Sequence, residues 1–124
     1  MADAKRRILV VDDDAAVRDA LKHQLLDRGY AVETATDGQD ALVLVQRIPR
    51  PDAIILDLMM PIMSGWEFLE AKAGSEQIRS VPVLILTAHD HEPLQLRNVL
   101  GVFRKSRDLS RMFGALDEHL RQSA

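Results

Sequence analysis

The sequence contains no cysteine, which excludes disulfides, thiolate catalysis and cysteine-ligated zinc or iron–sulfur sites. It has no run approaching the ~20 apolar residues that a membrane helix requires, and its opening MADAKRR lacks a signal peptide's apolar segment. A cytoplasmic location is the expectation, with no membrane association. Repeats, low-complexity tracts and linker-like stretches are missing, and the closing RQSA reads as a short frayed tail. No strong excess of one charge exists either: 16 Lys and Arg stand against 19 Asp and Glu, a net charge of −3. That balance argues against a polyanion-binding surface, so Lys5-Arg6-Arg7 reads as a solvated lead-in to a strand and no direct nucleic-acid contact is expected. What remains is ordinary: 124 residues, 47% hydrophobic and 28% charged, suit a single globular domain over 1–124.

Three apolar runs stand out, ILVV (8–11), AIIL (53–56) and VLIL (83–86). Each is short, partly β-branched and uninterrupted, the pattern of strands buried on both faces of a parallel sheet. Weaker strands are expected at YAVETA (30–35) and VFR (102–104). Between them lie helical patterns. Residues 15–28 place Val17, Ala20, Leu21, Gln24, Leu25 and Arg28 at helical spacing before a stop at Gly29. Residues 38–47 align Ala41, Leu44, Val45 and Ile48 ahead of Pro49 and Pro51, and 65–73 carry Phe68 and Leu69 before Gly74. A last helix over about 107–121, with Ser106 as its cap, presents Leu109, Met112, Phe113, Leu116 and Leu120. Strand and helix alternate throughout, which implies an α/β sandwich with right-handed crossovers.

Chemistry gathers at the strand ends. Asp12 and Asp13 follow the first strong run, Asp57 the second, Thr87 the third and Lys105 the last strand. Parallel strands all end on one sheet edge, where open α/β sheets bind ligands. Three carboxylates, a hydroxyl and an ammonium should therefore meet there. Packed carboxylates need a hard cation or protonation to relieve their repulsion. Oxygen-only ligands favour Mg²⁺, which often bridges carboxylates to a phosphoryl group. Lysine and threonine suit phosphoryl oxygens, and a carboxylate beside Mg²⁺ can attack phosphorus to form an acyl phosphate. Asp14, the third acid of the DDD triplet, reads as a helix cap. His89 and His91 of HDHE (89–92) read as exposed loop residues rather than metal ligands, and Trp66 as packing at the start of its helix.

ILVVDDD, IILDLMMPIMSGWEFL, VPVLILTA and FRKS, in this order and spacing, resemble the successive signatures of a bacterial response-regulator receiver domain. The resemblance covers essentially the whole chain. It implies the flavodoxin-like fold, a doubly wound five-stranded parallel sheet in the order 2-1-3-4-5. It further implies that Asp57 accepts a phosphoryl group from a sensor histidine kinase or a histidine phosphotransfer protein. Asp13 then resembles the direct Mg²⁺ ligand and Asp12 the acid that holds the ion through water, with Asp57 and the backbone carbonyl of Met59 completing the set. Thr87 matches the switch hydroxyl, Ala88 the small residue beside it and Lys105 the phosphate-pairing lysine. Output is expected through a protein partner on the face made by the fourth helix, fifth strand and fifth helix, from a monomer or weak dimer. The chain is read as phospho-acceptor rather than enzyme, either stand-alone or cut from a longer regulator.

Three departures from the family pattern bear on mechanism. Ser106 stands where proline usually follows the lysine, so a trans bond or shifted loop is expected. Val102 takes the place of the signalling aromatic, with Phe103 one residue later and facing the opposite side. The span from Thr87 to Lys105 is short by about one helical turn, so the fourth helix is expected to be short or irregular. These departures keep open an alternative, a degenerate receiver serving as a phosphorylation-independent interaction module. An aspartyl-phosphate hydrolase would need a second acid in DLM, and a flavodoxin would need a phosphate-cradling loop where the aspartates stand.

Overall fold

A computed structural model of the chain describes residues 5–88 and 98–122. Five parallel strands form one sheet in the order β2-β1-β3-β4-β5. They are β1 (Arg7–Val11), β2 (Ala31–Ala35), β3 (Ala53–Leu56), β4 (Val83–Thr87) and β5 (Val99–Arg104). Among the described residues the helices are α1 (Ala15–Asp27), α2 (Gly38–Leu44), α3 (Gly65–Ala73) and α4 (Leu109–Gln122). The expected fourth helix, together with His89, His91 and Pro93, lies outside the described residues.

The uninterrupted apolar runs are buried on both faces as their composition demands. Ile8 and Val10 point to one side with Ile55, Leu84 and Leu86, where α1 and α4 supply Leu21, Leu25, Phe113 and Leu116. Leu9 and Val11 point to the other with Ile54, Leu56 and Ile85, against Phe68 of α3 and Ala41 of α2. Burying a Leu, Ile or Phe side chain stabilises by ~1.5–3 kcal/mol, so the central strands carry much of the fold.

Helix ends follow local chemistry. Asp14 caps α1, its carboxylate accepting the amides of Ala16 and Val17, and Gly29 stops it at φ +92, a conformation costly for other residues. Ser64 and Glu67 form a reciprocal capping box on α3. Three boundaries differ from the sequence expectation by two residues or more. α2 ends at Leu44 rather than 47 because Gln46 and Arg47 close tighter turns onto Val43 and Leu44. β5 begins three residues early, at Val99, through a register shift between Val83 and Leu84 of β4. α4 begins at Leu109, and Ser106 sits in a turn instead of capping it. Asp108 takes over that junction: its carboxylate accepts the Arg104 amide at 2.9 Å and Arg111 at 3.1 Å.

Two residues of the basic lead-in are ion-paired. Arg6 lies 3.7 Å from Asp52 and Arg7 3.1 Å from Glu33. Phe103 is buried on the α1–α4 side, whereas Val102 packs against the α2–α3 side. The ring therefore does not replace an aromatic at 102.

Candidate functional site

Strand pairing sets the positions of the acids. Val11 pairs with Leu56, so the next residue of each strand, Asp12 and Asp57, emerges side by side at the carboxyl edge. Backbone bonds from Asp12 N–H to Ala35 and from Asp57 N–H to Val11 continue the ladders through both residues. Asp13 follows on the exposed rim. Carboxylate oxygens of Asp12, Asp13 and Asp57 lie within 4.8 Å of one another.

Lys105 reaches this cluster from the end of β5. Its Nζ stands 2.7 Å from Asp12 Oδ2 and 3.5 Å from Asp57 Oδ2. No cis peptide bond occurs among the described residues, so Lys105–Ser106 is trans, and the ammonium still points at the acids. A backbone bond from Lys105 N–H to the Thr87 carbonyl, 2.8 Å, joins the ends of β5 and β4. Thr87 is fully buried at that edge, while Ala88 beyond it is exposed.

The electrostatics are those of a buried acid pair sharing one cation. Burial raises the Asp57 carboxyl above the usual carboxylate range and the Asp12 charge adds to this, while Lys105 and the Met59 amide oppose them. For Lys105, burial pulls downward but the hydrogen bond and charge of Asp12, then Asp57, outweigh it, and its pKa is raised. Asp12 also accepts the Asp14 amide at 2.9 Å. Met59 N–H donates to Asp57 Oδ1 at 3.3 Å, and the Met59 side chain is exposed.

Two supports escaped sequence reasoning. Arg18, on α1, donates to the Asp12 carbonyl at 2.7 Å and ties the acidic loop to the helix; a lone arginine one turn into a helix carries no such signal. Gly65 meets the backbone of the acceptor loop so closely that a Cβ there would lie 2.4 Å from the Asp57 carbonyl oxygen. The glycine was visible in the motif, but not this reason for it. Trp66 departs from expectation: it is 40% exposed and belongs to neither core cluster.

An open parallel α/β sheet with clustered aspartates and a lysine at its carboxyl edge defines a phosphoryl-receiving signalling domain. Comparison with known proteins agrees. Residues 8–102 match the family described as the response regulator receiver domain, and the chain belongs to that family. It is 49% identical over 88 residues to the response regulator MprA of Mycolicibacterium vanbaalenii, covering 68% of this chain and 35% of that protein. The Mycobacterium tuberculosis MprA is 48% identical over 84 residues, with the same coverage. The chain thus spans about a third of the length of these curated relatives. Among solved structures, chemotaxis protein CheY4 of Vibrio cholerae superposes with a TM-score of 0.81 at 33% identity, over 93% of this chain and 98% of that one. The response regulator TrrA of Thermotoga maritima, solved with Mg²⁺ and BeF, gives 0.78 at 29% identity, over 91% and 97%.

Proposed function

We propose that Asp57 is the phospho-acceptor of this receiver domain and that Asp12, Asp13, Asp57 and the Met59 carbonyl hold Mg²⁺ during the transfer. The observation that carries this reading is the convergence of three carboxylates within 4.8 Å, with Lys105 Nζ beside two of them. All side-chain donors in the cluster are carboxylate oxygens, which fits a hard divalent cation. Such an ion, when bound, neutralises charge on the phosphoryl oxygens and on the acids.

The chain's own residues supply the remainder. An Asp57 carboxylate oxygen attacks phosphorus of a phosphohistidine; the new P–O bond forms as the P–N bond breaks, and the imidazole leaves with the nitrogen electron pair. Asp12 holds Lys105 so that its ammonium can pair with phosphoryl oxygens as they arrive. Thr87, at the end of the neighbouring strand, offers a hydroxyl that can turn toward the new anion. The phosphoryl donor is a sensor histidine kinase or histidine phosphotransfer protein, and the reading carries the cytoplasmic setting expected of response regulators. Acceptance by the domain's own acids makes it a phospho-acceptor rather than an enzyme acting on a separate substrate. Downstream, the charge change alters protein-partner binding on the side of β5 and α4.

Incubation with Mg²⁺ and acetyl phosphate, followed by intact mass measurement, tests the assignment. One phosphoryl group should add to the wild type and none to Asp57→Asn. Phosphorylation of both proteins would sink the assignment, as would phosphorylation of neither together with no spectral response to beryllium fluoride.

A further inference from the structure

Away from the acidic edge, one face of α3 borders a cavity of about 570 Å³, opposite Arg79, Ser80 and Asn98. This falls within the ~300–1,000 Å³ typical of small-molecule sites. Trp66, Leu69 and Ala73 recur on α3 at helical spacing and give the cavity an apolar wall. Its lining is also basic. Lys72, only 3% exposed, donates from Nζ to the Arg79 carbonyl at 3.0 Å. The same carbonyl accepts Asn98 Nδ2 at 3.0 Å.

Lys72 is incompletely satisfied. An ammonium has three donors, and here one is used; no carboxylate and no second acceptor engages it among the described residues. Its surroundings add positive charge. Arg50 holds the Ser80 hydroxyl at 2.7 Å and lowers the Lys72 pKa further, after burial, to about 8. The Arg79 guanidinium has no ion-pair partner among the described residues, and Glu70, also on the cavity lining, is exposed and makes no ion pair. A buried cation without a counter-ion is costly, and an anion delivered into the cavity would offset that cost.

We propose that this cavity is a binding site for a small monocarboxylate carrying an apolar ring, its ring against Trp66, Leu69 and Ala73 and its carboxylate on Lys72 Nζ and Asn98 Nδ2. The occupant is an acid because the lining offers donors and positive charge, and it carries a ring because the same lining includes one aromatic and two aliphatic side chains. Among the described residues, Arg50, Arg79 and Glu70 are the other charged groups near Lys72 or on the lining, and the two arginines reinforce the preference for an anion. The site does not depend on Asp57, so its test and the phosphorylation test succeed or fail separately.

Trp66 is the protein's only tryptophan, which makes its fluorescence a direct reporter of the cavity. Phenylacetate, its neutral amide phenylacetamide and Asp57→Asn protein provide a complete experiment. Phenylacetate should change Trp66 emission saturably and bind roughly tenfold tighter than the amide, a difference of ~1.4 kcal/mol. Lys72→Met should bring acid and amide to equal affinity, Ala73→Phe should weaken both, and Asp57→Asn should change neither. Circular dichroism verifies that each variant is folded. The proposal is overturned by the absence of a saturable response to phenylacetate, by equal binding of the amide to the wild type, or by an acid preference that survives in Lys72→Met.

Discussion

Replacing Lys72 with methionine should stabilise the fold at neutral pH and alter the way stability responds to alkali. The ammonium is almost wholly buried, and burial, then the Arg50 charge, lowers its pKa from 10.5 to about 8. At ~1.36 kcal/mol per pH unit, that gap corresponds to a penalty of ~3 kcal/mol, an upper bound because the cavity admits water. Methionine fills a similar volume without charge. It forfeits one hydrogen bond, worth ~1 kcal/mol, but the Arg79 carbonyl keeps its bond from Asn98. A net gain of ~1–2 kcal/mol at pH 7 follows. Because the folded-state pKa is the lower one, the penalty is present in full below about pH 8. Between about 8 and 10.5 the unfolded chain binds more protons than the folded one, so wild-type stability should rise with pH across that window. Tyr30, raised by burial and then by Asp117, acts in the opposite direction above its ordinary value of 10.0. The difference between wild type and Lys72→Met cancels that contribution. Urea unfolding followed by Trp66 fluorescence, at several pH values from 7 to 10.5, measures the difference; parallel pH profiles for the two proteins would refute the reasoning.

Other perturbations test separate parts of the structure. Gly65→Ala should lose at least ~2 kcal/mol in urea unfolding, since the added Cβ would meet Asp57 O at 2.4 Å and Leu58 Cα at 2.7 Å, both backbone atoms. Asp14→Ala should cost ~1 kcal/mol by orphaning the amides of Ala16 and Val17, yet leave phosphorylation by acetyl phosphate intact. Lys105→Met should still fold but gain phosphoryl groups more slowly than wild type in the mass assay, because the phosphoryl oxygens lose a cation.

The sheet was legible because both-face burial writes itself as short unbroken apolar runs, and because parallel strands place their last residues on one edge. Asp12, Asp13, Asp57 and Lys105 meet there as the strand ends imply, and Asp14 of the DDD triplet caps α1. Less legible were features set by the backbone. The register shift that lengthens β5 has no composition of its own, and VLG before VFR offered too little pattern to extend the strand. Ser106 was a sound cap by residue type, but Asp108 forms the junction with the Arg104 amide and displaces the helix start by two residues. Trp66 was read as packing at the start of its helix, whereas in the first turn of a nine-residue helix it stays 40% exposed and lines the cavity.

Asp12 and Asp57 are set by the same hydrogen-bond ladder, each one step past the Val11–Leu56 pair and each anchored through its own amide. The spacing between these acids is therefore a fixed gauge, no more adjustable than the 4.7–4.9 Å separation of neighbouring strands. Lys105 is different, since its charge rides on a flexible four-carbon stem that spans the gap between them. When a new negative group arrives, the carboxylates cannot part to make room. Accommodation falls to the lysine, whose stem can swing while the strand ends stay in register.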